Sequence, residues 1–295
     1  MTEAMVNRAR GVQPKKKSEI ARVLKQLSYN RGAMIGLCIF ALELVVILLA
    51  PLLAPYDYTA MDSSVIRQAP SLLHICGTDE LGRDIFSRIL YGGRFSITMG
   101  IFSVMISVVF ASIIGSVAGY FGGRVDNIIM RILDVIQSLP GLLLTIVLAA
   151  VLGAGYFNTI LALSVNCIPG QARMLRAQIM KNRDAEYVEA AQSINCSKFR
   201  IIATHLFPNS FSPLIVQMTM GVANMILMAS SLSFIGLGVP APQPEWGAML
   251  SGAREFFRSS PHMVVFPGLA IAVTILALNL LGDGLRDALD PKLKK

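Results

Sequence analysis

Six long apolar stretches constrain this chain more than any other feature of its sequence. A helix needs roughly 20 apolar residues to cross a hydrocarbon core of ~30 Å, and each stretch approaches or exceeds that length. We therefore predict an all-α, polytopic membrane protein with six transmembrane helices. The predicted spans are Ala33–Ala54, Ser96–Gly119, Asn127–Leu152, Gly155–Ala172, Pro213–Gly236 and Val264–Leu281.

The overall composition agrees with residence in a bilayer. Of the 295 residues, 54% are hydrophobic and 15% are charged, whereas a soluble domain carries roughly 25% charged residues. This balance excludes a disordered chain, a basic nucleic-acid-binding domain and an ordinary cytosolic enzyme. The net charge of +8 has to be interpreted by its location, because basic residues in membrane proteins mark the cytoplasmic side.

The basic residues are divided unequally between the two sides of the membrane. Six spans place both termini on one side, and that side holds 20 of the 26 lysines and arginines. The positive-inside rule therefore predicts cytoplasmic termini. We expect no cleaved signal peptide, because the 32 residues before the first span are polar, basic and longer than the leading region of such a peptide.

The spans and loops divide the chain into four parts. We assign a basic cytoplasmic lead, a first transmembrane helix with an outer segment, a core of five transmembrane helices and a cytoplasmic tail, at residues 1–32, 33–95, 96–285 and 286–295. Long loops on both faces suggest docking surfaces on both faces. These loops are Pro55–Phe95 and Leu237–Met263 outside, and residues 173–212 inside.

The basic lead contains a candidate surface helix. Ser18–Leu27 has one apolar stripe with basic residues beside it, and Ser18 is suited to cap its N-terminus. This pattern predicts a helix that lies in the membrane surface and leads into the first span. An ordinary fraying tail fits the same short window.

The second span carries a stripe of small residues at intervals of four. Such a stripe forms a smooth helix face that another backbone can approach closely. Two interpretations are open, a static contact between helices and a contact that slides during gating. The stripe consists of Ser103, Ser107, Ala111, Gly115 and Gly119.

Glu43 is an acidic residue near the middle of the first predicted span. A charge at that depth costs roughly 2.5–3.5 kcal/mol on insertion scales, so the side chain has to face protein or water, or be protonated. A structural hydrogen bond to a neighbouring helix or a second subunit explains it, and a role in a proton path is the alternative.

The sequence contains no recognisable motif for catalysis, nucleotide binding or metal binding. G-x-x-x-x-G-K-[ST], H-E-x-x-H and G-x-S-x-G are all absent. His74, His205 and His262 are scattered, and the four cysteines form no plausible pair. We expect no catalytic residue, cofactor, metal or disulfide in this chain, and an energy source in another protein.

The inner loop has the signals of two short helices joined by a turn. Asp184 is a suitable N-cap for a helix over Ala185–Ile194, and Asn195 tolerates the left-handed conformation that ends a helix. Ser197 can cap a second helix, Lys198–Phe207, which Pro208 would close. Such a helix–turn–helix serves either as a docking surface or as a connector that rests on its own bundle.

This loop resembles the EAA loop of binding-protein-dependent ABC importer permeases. The resemblance lies in the run Glu189–Ala191, then a turn, then Ile201, His205 and Pro208. The family consensus has glycine at the turn, where this chain has Asn195. Asparagine can occupy a left-handed turn, so the departure leaves the predicted geometry possible.

Further segments resemble the second permease subunit of dipeptide, oligopeptide and nickel importers, most closely the dipeptide type. The matches extend from about Arg31 to the end of the chain. They include GTD at 77–79, GRD at 82–84, SR at 87–88, GYFGG at 119–123 with Asp126, Met130, Arg131 and Asp134, PEWG at 244–247, and the tail from Gly282 to Lys292.

The resemblance implies a permease subunit of an ATP-driven importer that moves dipeptides or oligopeptides across a bacterial inner membrane. It implies as partners a second permease subunit in a heterodimer, two cytoplasmic ATPases that bind ATP and Mg²⁺, and an extracytoplasmic binding protein. We expect membrane lipid as a further partner, and we expect no binding of nucleic acid. A nickel chelate or a glutathione-like peptide is an alternative cargo, and a secondary transporter is a remote alternative.

The resemblance also gives the inner loop a role. In this family the loop is the coupling helix, which sits in a groove of the ATPase and transmits its ATP-driven closure to the membrane helices. The residues implicated here are Tyr187, Glu189, Ala190, Ala191, Asn195, Phe199, His205 and Pro208.

The long outer loops suggest a second set of residues, for docking of the binding protein. They are Glu245, Trp246, Arg254, Glu255, Asp79 and Arg83. Polar residues inside the spans either line a pathway or make packing contacts. They are Asn166, Gln217 and Asn224.

Overall fold

The computed structural model describes residues 25–289, which form helices joined by turns. In this range the only strand-like feature is one isolated bridge, between Thr78 and Asp84. The all-α prediction is confirmed. The main helices are α1 (Arg31–Leu48), α2 (Ile85–Phe121), α3 (Gly123–Gln137), α4 (Gly141–Leu152), α5 (Tyr156–Asn182), α6 (Glu186–Ser193), α7 (Ser212–Phe234), α8 (Trp246–Ala253) and α9 (His262–Leu289).

Several short elements connect these helices. A four-residue helix follows α1, a 3₁₀ turn lies in the outer segment, three short elements separate α6 from α7, and a 3₁₀ turn follows α8. They are Ala50–Leu53, Ser63–Val65, Lys198–Arg200, the π-helix Ile201–Leu206, Phe207–Ser210 and Arg254–Phe256. The candidate surface helix lies mostly outside the described residues, although residues 25–29 are helical.

Within residues 25–289, four helices are long and apolar enough to cross a membrane, namely α1, α2, α7 and α9. The pair α3 and α4 gives a fifth if a bent pair counts as one span. Helix α5 has 27 residues, but Asn166, Gln171, Arg173 and Arg176 make it more polar. The count of six spans is therefore not confirmed.

The third predicted span, Asn127–Leu152, is wrong as a continuous helix. The chain forms α3 and α4 instead, which are bent by 83° relative to each other. Pro140 is the N-cap of α4, and proline disfavours helical geometry in the preceding residue. The break at Ser138–Pro140 follows from this restriction.

Two further helix ends differ from the hydropathy pattern. Helix α2 begins at Ile85 rather than Ser96, because Asp84 caps it by accepting a hydrogen bond from the Ser87 amide at 2.8 Å. Helix α5 continues from Ala172 to Asn182. Hydropathy marks the lipid-embedded part of a helix, whereas both of these helices extend beyond it.

The small-residue stripe of α2 packs against α5. A side chain at Gly115 would place its Cβ 2.6 Å from the carbonyl oxygen of Ala172, so only glycine allows this approach. Farther along the stripe, the Ser107 hydroxyl donates to Gln171 Oε1 at 2.9 Å. All five stripe residues are buried. This contact forms the centre of the bundle.

Helix α1 packs closely against α9. A Cβ at Gly36 would lie 2.6 Å from the carbonyl oxygen of Ala277. At the same interface the Thr274 hydroxyl donates to Glu43 Oε1, while Glu43 Oε2 is buried without a hydrogen-bond partner. Glu43 thus makes the interhelical hydrogen bond that the sequence suggested as one of its two roles.

Candidate functional site

The candidate site consists of two surfaces, one at each end of α2. The surface that the charge pattern predicts to be cytoplasmic is named the inner surface, and the opposite one the outer surface. The inner surface begins with α6 and the turn that follows it. Asn195 adopts φ +58°, the left-handed conformation, and its amide donates to the carbonyl oxygen of Gln192 at 2.9 Å. Ser197 then caps the next helical turn by accepting from the Arg200 amide at 3.4 Å. The predicted helix–turn–helix is present.

One face of α6 is buried against the bundle. Val188 and Ala191 pack in an apolar cluster with Leu175 and Ile179 of α5, and with Ile201 and Leu206 of the following segment. This cluster fixes α6 on the inner end of α5. The prediction that Ala191 belongs to the exposed coupling surface is therefore corrected, because its side chain faces inward.

The opposite face of α6 and its turn is exposed. Ile194 and Phe199 are 76% and 81% exposed, and Tyr187 is exposed beside them. Glu189 and Ala190 are exposed on the same segment. Large apolar side chains grouped with an acid are typical of a surface that another protein covers. Ile194 was not among the predicted residues, although its place just before Asn195 was a usable signal.

The local geometry corrects two further predictions. Ala185 is the N-cap of α6 and makes no side-chain capping bond, whereas Asp184 accepts from Arg183 Nε at 3.2 Å. The second helix does not end at Pro208 but continues to Ser210. Pro208 lies in the first turn of that last element, where a missing N–H is tolerated.

The remaining predicted residues of the inner surface lie at its edge. Pro208 is exposed and His205 is half-buried in the π-helix. A cleft of about 380 Å³ lies between α6 with its flanking residues and the end of α2. Its lining mixes aromatic rings with both signs of charge: Tyr120, Phe121, Arg183, Asp184, Glu189, Gln192 and Lys198.

The outer surface is organised around Glu245, which caps α8. Its carboxylate accepts hydrogen bonds from the amides of Gly247 and Ala248 at 2.9 and 2.8 Å, and from the Ser96 hydroxyl at 3.1 Å. The side chain is fully buried, at 0% exposure. Burial raises the pKa of Glu245 above its ordinary value, and the bonds it accepts oppose that rise.

Trp246 is also buried, at 1% exposure. Its indole Nε1 donates to the carbonyl oxygen of Ile89 on α2 at 3.0 Å. The prediction that Glu245 and Trp246 contact a binding protein is therefore corrected. Their side chains hold α8 against α2 and leave no surface for a partner.

Asp79 and Arg83 need the same correction. Arg83 Nε donates to Asp79 Oδ2 at 2.6 Å, and Arg88 Nε lies 3.4 Å from the same oxygen. Asp79 Oδ1 also accepts from the amide of Leu81 at 2.9 Å. Both predicted residues are buried. Their charges are satisfied within the outer segment, which they hold in its fold.

Arg254 and Glu255 are the predicted docking residues that the structure leaves exposed. They lie on the 3₁₀ turn Arg254–Phe256 after α8. Beside α8, a pocket of about 290 Å³ is lined by four charged side chains among others: Asp79, Glu80, Arg83 and Arg88. The buried Arg88 and the half-buried Glu80, which lies close to Gly252 of α8, were not among the predicted docking residues.

The three candidate pathway residues lie in different surroundings. Asn166 Nδ2 lies 3.5 Å from Met228 Sδ. Gln217 Oε1 is buried without a hydrogen-bond partner, and Asn224 is exposed on α7. Across residues 25–289 no group of three metal-ligating side chains comes together. The four cysteines are free thiols, and burial raises the pKa of Cys76 to about 11.

Two family models match the sequence. A model described as binding-protein-dependent transport system inner membrane component matches residues 111–295. A model described as the N-terminal TM domain of oligopeptide transport permease C matches residues 18–70. The first of these covers more than half of the chain.

Curated relatives resemble the chain over nearly its whole length. The dipeptide transport system permease protein DppC of Alkalihalophilus pseudofirmus is 43% identical over 92% of this chain and 89% of its own length. The glutathione transport system permease protein GsiD of Pectobacterium atrosepticum is 45% identical over 87% of this chain and 86% of its own length. The di/tripeptide transport system permease protein DppC of Pseudomonas aeruginosa is 40% identical over 94% of this chain and 93% of its own length.

A solved structure supports the fold. The inward-facing MetNI methionine ABC transporter matches with a TM-score of 0.56 at 14% identity, over 68% of this chain and 96% of that one. A second crystal form of the same transporter matches with a TM-score of 0.57. At this level of identity the likeness concerns the helical arrangement alone.

Proposed function

The chain belongs to the family of binding-protein-dependent transport system inner membrane components, and we propose that it forms the dipeptide pathway of an importer together with a second permease subunit. It is a multi-pass inner-membrane permease subunit of an ATP-driven ABC importer. It is a transport protein, and ATP hydrolysis belongs to partner chains of such importers.

The proposed partners are the second permease, two cytoplasmic ATPases that bind ATP and Mg²⁺, and an extracytoplasmic binding protein. In this scheme ATP draws the ATPases together, the coupling segment follows, and the cavity between the permeases opens outward. Linkage then requires that the loaded binding protein favour the same state from outside. Hydrolysis resets the transporter.

The exposed face of α6 is the observation that carries this proposal. Tyr187, Glu189, Ile194 and Phe199 present an acid among large apolar side chains, while the buried face of α6 is fixed to α5. A connector that only rested on its own bundle would have no reason to expose Ile194 and Phe199. This geometry favours docking of an ATPase on the inner surface.

Recovery of the partners tests the proposal. The chain is purified from its native membrane in mild detergent, and co-purifying chains are identified by mass spectrometry. We expect a second permease and chains that carry the phosphate-binding motif G-x-x-x-x-G-K-[ST]. Recovery of the chain alone, still transporting without ATP after reconstitution, would establish a secondary transporter instead.

We propose dipeptides as cargo, with glutathione as the second candidate. The dipeptide assignment rests on relatives named for dipeptide and di/tripeptide transport, at 43% and 40% identity. A relative named for glutathione transport, at 45% identity, favours the alternative. Uptake of a labelled dipeptide by the reconstituted importer, competed separately with unlabelled dipeptide, glutathione and a nickel chelate, decides between the cargoes.

Arg254 and Glu255 are the proposed docking residues for the binding protein. Both are exposed on the turn after α8, and exposed rim charges act mainly on association rates. Arg254→Glu should slow capture of the binding protein, with Arg258→Glu as a control of equal charge change in the same loop. If Arg254→Glu and the unaltered importer capture the binding protein equally fast, Arg254 is not part of the docking surface.

Both termini are proposed to lie in the cytoplasm. The excess of basic residues near the ends and in the inner loop supports this orientation. It keeps α6 on the side where ATP is available. Accessibility of a cysteine introduced at residue 2, in a variant whose four native cysteines are replaced, to a membrane-impermeant maleimide in intact cells tests it. Labelling before lysis would contradict the proposed orientation.

A further inference from the structure

Helix α3 has two faces of different character. Its apolar side chains Val125, Ile128, Ile132 and Val135 are exposed. The polar side chains Asp126, Asp134 and Gln137 lie on the side that faces α5. The family assignment gives no role to this polar face.

Two arginines near the inner end of α5 hold the polar face of α3. Arg176 donates through Nε and Nη2 to both carboxylate oxygens of Asp126. Arg173 Nη2 donates to Asp134 Oδ1 at 2.7 Å. In the first pair the side chain of Asp126 is buried, at 8% exposure, and that of Arg176 is half-buried, at 28%, whereas those of Arg173 and Asp134 are 37% and 53% exposed.

The turn of α5 that carries Arg176 is also where α2 and α6 meet. A Cβ at Gly119 of α2 would lie 2.9 Å from the carbonyl oxygen of Arg176. The adjacent Leu175, together with Ile179, packs against Val188 of α6. One turn of α5 therefore contacts α2 through its backbone, α3 through charge and α6 through apolar side chains.

We propose that Asp126 and Arg176 are positioning residues, which make α3 follow the inner end of α5 when the ATPases move α6. This inference rests on the coupling role proposed for α6. A bidentate arginine–carboxylate pair fixes both distance and orientation. Loss of Arg176 would leave the buried charge of Asp126 without compensation, so the pair resists separation.

The break between α3 and α4 gives this motion a place to end. The two helices meet at 83° across Ser138–Pro140. Rotation of α3 with α5 changes the dihedral angles of these few residues. The pair thus connects the inner surface to α3.

The experiment uses the intact importer reconstituted in proteoliposomes with its partner chains. Asp126→Asn keeps the size of the side chain and removes its charge. We expect ATPase attachment and ATP hydrolysis to persist, while labelled peptide imported per ATP falls by about fivefold or more. The exchanged double variant, Asp126→Arg with Arg176→Asp, should recover most of that loss.

Two further variants keep the result interpretable. Arg176→Lys retains the charge but not the bidentate geometry. It replaces the exchanged variant if that one does not assemble. Its import of peptide per ATP should lie between that of Asp126→Asn and that of the unaltered chain. Arg173→Gln is the matched control, because its partners Asp134 and Gln137 are both exposed and such surface pairs contribute little. It should import nearly as much peptide per ATP as the unaltered chain.

Three results would overturn the inference. They are unchanged import per ATP in Asp126→Asn, release of the ATPases by that variant, and an equal loss in Arg173→Gln. Failure of the underlying coupling proposal looks different. In that case Glu189→Lys in the same proteoliposomes leaves ATPase attachment and uptake unchanged.

Discussion

The Ser96 hydroxyl donates a hydrogen bond to Glu245 Oε1 at 3.1 Å and accepts one from the Trp246 amide, also at 3.1 Å. Ser96 lies within α2 and Glu245 begins α8, so one hydroxyl links elements about 150 residues apart. The segment PEWG, which the sequence suggested as a docking motif, instead seats α8 on the bundle.

Replacement of Glu245 by alanine should destabilise the outer end of the bundle. The amides of Gly247 and Ala248 and the Ser96 hydroxyl would lose their acceptor in a buried place. Loss of a cap and of buried acceptors together costs about 2–4 kcal/mol. Thermal unfolding of the purified importer measures the effect. Glu255→Ala, an exposed acid nearby, should change stability by less than about 0.5 kcal/mol.

The stability that Glu245 contributes should depend on pH. Burial raises its pKa in the folded protein, so the folded state holds this proton more tightly than the unfolded state. The part of the contribution that depends on protonation is therefore complete below the ordinary pKa of 4.5 and is lost as pH rises through the raised pKa. Glu245→Gln does not titrate. The melting temperature of the unaltered importer should fall relative to that of Glu245→Gln as pH increases, and a constant difference would contradict this.

Gly115→Ala should weaken the contact between α2 and α5. The added Cβ would lie 2.6 Å from the Ala172 carbonyl oxygen, so the helices have to separate at a cost of about 1–3 kcal/mol. Gly170→Ala on α5 is the control, because nothing lies within 4 Å of its added Cβ. It should be neutral or stabilise by about 0.5–1 kcal/mol through helix propensity. Equal melting temperatures for the two variants would refute the packing argument.

Glu189→Lys should release the ATPases without loss of the permease from the membrane. Glu189 is exposed on the inner surface, and a groove that accepts its carboxylate would meet a cation instead. We expect ATPase co-purification to fall by roughly tenfold, since like-charge contacts at an interface cost several kcal/mol. Glu189→Gln removes the charge and keeps the shape of the side chain. Its ATPase co-purification should lie between that of the unaltered chain and that of Glu189→Lys. Normal uptake by Glu189→Lys would show that the coupling surface is misplaced.

Glu43→Gln should leave ATP-driven uptake within about twofold of normal. The carboxylate accepts from the Thr274 hydroxyl, and the amide oxygen of glutamine can accept the same bond. A proton path instead requires an ionisable group, which glutamine does not supply. Uptake by the assembled importer distinguishes the two roles. Loss of uptake with assembly intact would favour the proton path.

The sequence predicted the features that depend on neighbouring residues. The left-handed turn at Asn195 and the cap at Ser197 follow from the side chains at those positions. The same local reasoning failed at Asp184, since Ala185 begins α6 without a capping side chain. It also missed the break before Pro140, although proline itself was the available signal.

Burial at the outer surface could not be predicted in this way. Glu245, Trp246, Asp79 and Arg83 are charged or amphipathic residues in loops, where exposure is the ordinary expectation. They are buried because α8 packs against α2 and because Asp79 pairs with Arg83 and Arg88. The contact between Trp246 and Ile89 joins residues 157 positions apart in the chain, and hydropathy reveals neither this contact nor the pairing of Asp79 with the two arginines.

The length of α2 has a mechanical consequence. Its 37 residues make a rod of about 55 Å, well beyond the ~30 Å of hydrocarbon that a span has to cross. The close backbone contact with α5 stiffens this rod along its inner half. A tilt of only about 5° around one end would therefore displace the other end by ~5 Å. Glu245 and Trp246 contact α2 near one end, and α6 lies near the other. A small tilt of α2 therefore displaces the elements at its ends much farther than the middle of the helix.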